Sequence, residues 1–191
     1  MSVPPSRLMD AGSTDLSDLL QRAKRYEPQA LSALHEMFYP LVFRYVAYRI
    51  DDLQACEDIS SEVFLRLLKS LKREELDIRS LRAWLLGTAH HLVQDYYRWN
   101  YRHPVSPLEH HQHLPNGHNP AEEAENRLSH QQVRVALQRL TADQQHVLTL
   151  RFSLELSLQE TAQTMNKSVE AVKVLQFRAL AALRRQLEGS R

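Results

Sequence analysis

Lys173 and Arg178 lie in one helical stretch with Gln176 and Phe177 between them, and Arg184 and Arg185 close it. Glu170 is the only acidic residue between Lys167 and Arg185. Cations set this way on a helix face suit a nucleic acid. An arginine fork can hydrogen-bond guanine O6 and N7 together, and a lysine meets phosphate as a point charge. The bland alternative is a helical hairpin with a solvated basic face. Earlier in the chain Arg82, Arg98 and Arg102 are interleaved with Tyr96, Tyr97, Trp99 and Tyr101, which combines stacking surfaces for unpaired bases with charge for their backbone. A third constellation is acidic: Glu57, Asp58 and Glu62 run along one side of a helical segment, as a docking face for a basic partner or simply a solvated one.

Motifs of catalysis are missing. The sequence has no glycine-rich phosphate loop, no Gly-x-Ser-x-Gly elbow and no His-Glu-x-x-His helix, so no catalytic residue is assigned and the chain is read as a non-enzyme. His103, His110, His111, His113 and His118 invite a metal reading. No cysteine stands near them and no regular helix fixes their geometry, so neither metal nor cofactor is expected. Cys56 is the single cysteine, which excludes an internal disulfide and fits a reducing cytoplasm. No apolar run approaches the ~20 residues of a membrane span, and "MSVPPSRLMDAGS" lacks the apolar segment of a signal peptide. The expectation is a cytoplasmic protein that does not insert into a membrane. Net charge is +1 with a pI near 8.0, which neither demands nor excludes DNA, since clustering of charge matters more than its sum.

Elements must hold these residues in place. The chain has 191 residues, 43% hydrophobic and 25% charged, with only 4 glycines, a globular composition leaning to helix. Residues 1–14, with Pro4, Pro5 and Gly12, read as a disordered N-terminal tail. From Asp15 a helical period begins, with Leu16, Leu19, Leu20 and Ala23 on one face. Tyr26-Glu27-Pro28 interrupts it. Leu31, Leu34, Phe38, Leu41, Val42, Tyr45 and Val46 then form one apolar stripe over 30–50. Pro40 inside it predicts a kink or short break, because proline has no amide to donate. In "DDLQACEDISSEVFLRLLKSLKR" a third helix turns Ile59, Val63, Phe64 and Leu67 inward. "EELDIRS" reads as a loop and Ser80 as the N-cap of a fourth helix that buries Trp84, Leu85, Ala89, Leu92 and Tyr96. Of Tyr97, Trp99 and Tyr101, at least one is expected at the surface.

Composition then changes. Residues 103–120 carry Pro104, Pro107, Pro115 and Pro120, a glycine and the five histidines, and read as a flexible linker; a structureless stretch of that length argues against one compact domain. Periodicity returns near residue 121 with helices in "NRLSHQQVRVALQRL" and "TADQQHVLTLRFS". Thr141-x-x-Gln144 and Ser157-x-x-Glu160 are capping boxes, in which each side chain satisfies an otherwise free backbone amide. The expected fold is all-α: two small helical domains, 15–102 and 121–191, joined by the linker.

Ser157 to Leu180 fits a helix-turn-helix. Ala162 is small where the two helices must cross closely, Asn166 tolerates the left-handed backbone of the turn, and Val172 and Leu175 anchor the second helix. Thr161 departs from the aliphatic residue that would pack better at its position.

Taken together, the chain resembles the extracytoplasmic-function (ECF) sigma factors of the sigma-70 family. "CEDISSEVFLRLLKS" is similar to the family's region 2.2, "LRAWLLGTAHHLVQDYYR" to regions 2.3 and 2.4, and the stretch from Ala136 to Arg185 to regions 4.1 and 4.2. The resemblance implies that Asp58, Glu62, Phe64 and Arg66 bind core RNA polymerase at the β′ clamp helices, while region 4 meets the β flap. Arg73, Arg79, Ser80, His91, Arg98 and Arg102 would meet the −10 element, holding a flipped base near His91, where asparagine is common in the family. Lys167, Ser168, Glu170, Lys173, Val174, Phe177 and Arg178 would meet the −35 element, with Val174 and Leu175 standing where many members carry Ser-Arg. The resemblance also implies promoter DNA and an anti-sigma factor as partners, and, as no extension follows Arg191, no attached regulatory domain. Two rivals stay open. A stand-alone helix-turn-helix repressor shares the C-terminal half but leaves the acidic helix and the aromatic run without a use, and an adaptor module needs no DNA face.

Overall fold

The computed structural model describes residues 13–72, 78–102, 132–133 and 135–189. Among these there is no strand. Four long helices come first: α1 (Ser13–Lys24), α2 (Pro28–Ala47), α3 (Leu53–Leu71) and α4 (Ile78–Arg102). Residues 135–138 are helical, followed by α5 (Ala142–Leu148), a π-helical turn (Thr149–Ser153), α6 (Leu158–Met165) and α7 (Val169–Glu188).

The first unit forms because its helices carry apolar residues at three- and four-residue spacing and bury them on one another. Leu34, Phe38, Val42 and Val46 of α2 meet Ile59, Val63, Phe64 and Leu67 of α3 and Leu81, Leu85, Leu86, Ala89, Leu92 and Val93 of α4 in one core. Pro28 sits in the first turn of α2, where a missing amide costs nothing. The Asp52 carboxylate accepts from the Ala55 amide at 3.1 Å and starts α3. Cys56 lies buried and donates to the Ile50 carbonyl at 3.4 Å; burial, with Asp52 and Glu57 nearby, pushes its thiol up to about 12, so it is an inert core residue.

Three expectations change in detail. Of the kink or short break expected at Pro40, the break does not occur, since α2 runs on through it; Pro40 is exposed, so water can solvate the carbonyl it leaves without a partner. α4 starts at Ile78, which puts Ser80 inside the first turn rather than at the N-cap, and makes the last residues of "EELDIRS" helical; arginine at 79 is a good helix former and favours the earlier start. The helix expected across "TADQQHVLTLRFS" passes into a π-helical turn at Thr149. The tail expected at 1–14 and the linker expected at 103–120 fall outside the described residues, except that Ser13 and Thr14 belong to α1.

The second unit is smaller: Leu137, Leu140, Val147, Leu148, Ala162, Val172, Ala179 and Ala182. Part of its chain is packed elsewhere. Leu150, Leu154 and Leu156 are buried in the first unit's core, and Met165 packs against both cores. Each leucine so covered is worth roughly 1.5–3 kcal/mol relative to exposure, so the two units share a packed seam. α6 lies along α4, and the π-helical turn lies against α2.

Candidate nucleic-acid interface

The helix-turn-helix is built by its caps. The Ser157 hydroxyl accepts from the Glu160 amide at 3.1 Å, and the Glu160 carboxylate accepts from the Ser157 amide at 2.8 Å. α6 ends at Asn166, whose φ of 50° and ψ of 47° lie in the left-handed region, and the Lys167 amide closes the turn on the Ala162 carbonyl at 2.9 Å. Thr161 is fully buried without strain because its hydroxyl donates to the Ser157 carbonyl at 2.8 Å. The Ser168 hydroxyl accepts from the Ala171 amide at 3.1 Å and starts α7. Val172 and Ala179 face inward, and Leu175 is half-buried against them. Outward go Glu170, Lys173, Val174, Phe177 and Arg178, all exposed; Val174 is 50% exposed and Phe177 76%. Lys167 pairs with Asp143 at 3.2 Å. Gln176, by contrast, is held back, because its Oε1 accepts from Arg151 Nε at 3.0 Å. Seven residues sequence reasoning assigned here thus lie together, with the Ser168 side chain spent on the cap.

On α4, Arg98, Arg102, Trp99 (56%) and Tyr101 (90%) are exposed near the C-terminal end, and Arg98 is engaged by Asp95. Trp84 and Tyr96, expected in the core, are half-buried at its edge. His91 is exposed two turns earlier, its ring 5.7 Å from that of His90. Arg73 and the side chains of Arg79 and Ser80 lie outside the described residues. On α3, Asp58 is exposed and accepts from Gln54 at 3.0 Å, and Glu62 pairs with Arg66 at 2.9 Å. Phe64 does not reach the surface: it is buried, its ring 4.7 Å from His35 and 6.0 Å from Tyr39, so it holds the helix that presents its acidic neighbours.

The sequence reading missed a buried polar cluster in the seam. Tyr45 Oη lies 2.7 Å from His146 Nδ1 and 3.1 Å from His90 Nδ1, and it accepts from Arg49 Nη1 at 3.0 Å. Arg49 Nη1 is also 3.2 Å from His90 Nδ1, and its Nη2 donates to Gln145 Oε1. Gln145 Nε2 completes the set by donating to the Leu140 carbonyl at 3.0 Å. The His90 and His146 rings stack with centroids 4.0 Å apart. Arg49 points donors at His90 Nδ1, and Tyr45 has one proton to give. Every group is satisfied when both histidines are neutral with a bare Nδ1. Burial, then Arg49 and His91, lowers His90 to about 4; burial, His90 and Arg49 hold His146 well below its usual value. At the seam's edge Arg82 Nη1 meets Glu160 Oε1 at 2.6 Å. Burial there favours the neutral acid, but the bonds from Ser157 and the charge of Arg82 outweigh it and leave Glu160 below its ordinary range. The available signal was polar residues on the inward period: Gln145, His146 and Thr149 are all buried.

Two family models match, in order: Sigma-70 region 2 over residues 34–103 and Sigma-70, region 4 over 136–185. The chain is similar to the ECF RNA polymerase sigma factor BldN of Streptomyces coelicolor, 34% identical over 93% of this chain and 68% of that protein. It is also similar to ShbA of Streptomyces griseus, another ECF RNA polymerase sigma factor, 30% identical over 93% of this chain and 97% of the other. Among solved structures the fold matches CnrH, determined in complex with the cytosolic domain of CnrY, with a TM-score of 0.67 at 19% identity, covering 92% of this chain and 98% of that one. A second match is the sigma factor RpoE of Bartonella quintana, in complex with the anti-sigma factor NepR, with a TM-score of 0.56 at 16% identity, covering 84% of this chain and 98% of that one.

Proposed function

The chain belongs to the sigma-70 family, among the ECF RNA polymerase sigma factors, and from that membership we propose how its own residues bind core RNA polymerase, recognise −35 and −10 promoter elements and start transcription of a specific set of genes. Residues 15–102 act as the polymerase-docking and −10 unit, and residues 121–191 as the −35 unit. Asp58, Glu62 and Arg66 on α3 offer a charged face to the β′ clamp helices, and the second unit approaches the β flap. The mechanism is energetic. To a polymerase that has no sequence preference of its own, α7 adds contacts to the −35 element, with Lys173 and Arg178 on the phosphates. His91, Arg98, Trp99, Tyr101 and Arg102 then receive the unpaired strand. Unstacking a base costs a few kcal/mol, which stacking and pocket contacts offset.

The observation that carries this reading is the ordered pair of family matches on two helical units, with Lys173 and Arg178 facing outward from α7. A stand-alone repressor makes use of α6 and α7 but gives no role to the region 2 match. The likeness to the sigma factor RpoE, solved in complex with the anti-sigma factor NepR, supports an anti-sigma partner. No described helix is long and apolar enough to cross a membrane, and polymerase and promoter place the site of action in the cytoplasm.

Transcription in vitro tests the proposal. Purified protein with core polymerase on a fragmented library of the source genome is expected to give discrete starts that share one bipartite upstream motif. Failure to bind core polymerase would bring the repressor reading forward.

A further inference from the structure

The second helix of a helix-turn-helix reads bases with the side chains of its N-terminal half. In α7 the outward line through that half is Glu170, Val174 and Phe177, spaced i, i+4 and i+7 on one face. Two of the three are apolar, and they are more exposed than most of the molecule's hydrophobic residues. Gln176, the side chain on this helix best suited to grip adenine, is turned back onto Arg151 at 3.0 Å. The cations flank the line rather than form it: Lys173 on one side, Arg178 on the other, neither in an ion pair among the described residues. A surface with an apolar centre, a basic rim and one carboxylate at its leading end matches the major groove of a particular kind of site. The thymine C5-methyl is the one apolar group displayed there, and cytosine N4 is a donor that a carboxylate can accept from. The basic rim favours a polyanion over an apolar protein groove.

Resting on the sigma-factor reading, we propose that Val174 and Phe177 determine −35 specificity by packing on thymine methyl groups, with Glu170 set towards a cytosine on the N-terminal side. Three residues along a helix advance about 4.5 Å, against about 3.4 Å for each base pair. The two methyls therefore belong to neighbouring or next-neighbouring pairs. Lys173 and Arg178 hold the register on the phosphates and contribute little to the choice of base.

The test uses holoenzyme assembled from the full chain and core polymerase. A promoter with a randomised −35 segment is transcribed and the productive sequences are read. Each selected thymine, on either strand, is then replaced by deoxyuridine, which keeps every hydrogen-bonding group and removes only the methyl. At least one replacement is expected to lower initiation by about fourfold, the equivalent of one buried methyl-sized group. Phe177→Ala holoenzyme is expected to initiate more weakly and to lose the difference between thymine and deoxyuridine at that position. Val174→Ser should do the same at the other methyl. Both side chains are exposed, so these variants fold, which circular dichroism checks. A selected −35 segment with no deoxyuridine-sensitive thymine overturns the inference, as does a Phe177→Ala variant that keeps the full difference. Loss of core binding in Phe177→Ala, with deoxyuridine without effect, overturns it in favour of a protein partner. A wild-type holoenzyme that starts transcription nowhere overturns the sigma-factor reading itself, a result distinct from starts that ignore the methyl.

Discussion

The two units solve opposite problems. The first is a thick core of long helices, with Leu34, Val42, Val63, Leu81, Leu85, Leu86 and Val93 all fully buried, and its stability comes from apolar area. The second must leave the outward half of α7 bare, so it has little area to bury. Three of its leucines, Leu150, Leu154 and Leu156, complete the first unit's core instead, and it depends on caps: two capping boxes and the Ser168 cap. A small unit with one helix face left bare, proposed to read DNA, is stabilised locally at its helix ends and externally by its neighbour.

The largest test of that contrast is Leu150→Ala. It should cost about 2–5 kcal/mol, comparable to Leu85→Ala, and lower the thermal midpoint of the whole chain in one transition. A second transition, or a loss under ~1 kcal/mol, would mean that the units unfold separately. Next comes acid. Buried neutral, His90 and His146 have lowered values in the closed form and ordinary ones when exposed. The open form therefore binds more protons, and the seam is fully stable above about pH 6.5. Its stability falls as the pH drops from there towards 4. Small-angle scattering should show the particle expanding across that window, and a His90→Asn, His146→Gln variant should flatten the response.

Smaller effects sharpen the comparison. Ser157→Ala removes half of a capping box and should cost about 1 kcal/mol, read by chemical denaturation, whereas the same change at the buried Ser60, whose hydroxyl only returns to the Cys56 carbonyl at 2.6 Å, should cost less. Arg82→Ala breaks a half-exposed ion pair with Glu160 and should cost at most about 1 kcal/mol, declining further with added salt.

Local chemistry made much of this legible in advance. Thr141, Ser157 and Asn166 announce their turns because each supplies a hydrogen bond or a backbone conformation that few residues can. The outward set on α7 followed from the same 3.6-residue period that buried Val172. Pro40 did not break α2, because at an exposed position water can take up the carbonyl left without an amide. Ser80 misled because a good N-cap residue is also tolerated one turn further in. The seam was illegible for a deeper reason. Tyr45, His90, Gln145 and His146 come from three helices and Arg49 from the turn after α2, and each polar group is acceptable in the interior only once the others surround it, which no local pattern reveals.

That seam also sets a threshold on the chain's affinity. On the proposed reading, promoter elements centred near −35 and −10 are separated by about 25 base pairs, roughly 85 Å of duplex, so the units that carry α4 and α7 would serve both only with the seam between α4 and α6 open. Apparent affinity for the promoter complex is the intrinsic affinity multiplied by the fraction of molecules that are open. A closed form favoured about a hundredfold thus makes binding a hundredfold weaker with every DNA contact intact. On that reading, whatever Arg49, Tyr45 and His146 contribute to holding the seam together raises by the same factor the concentration at which this chain would compete for polymerase.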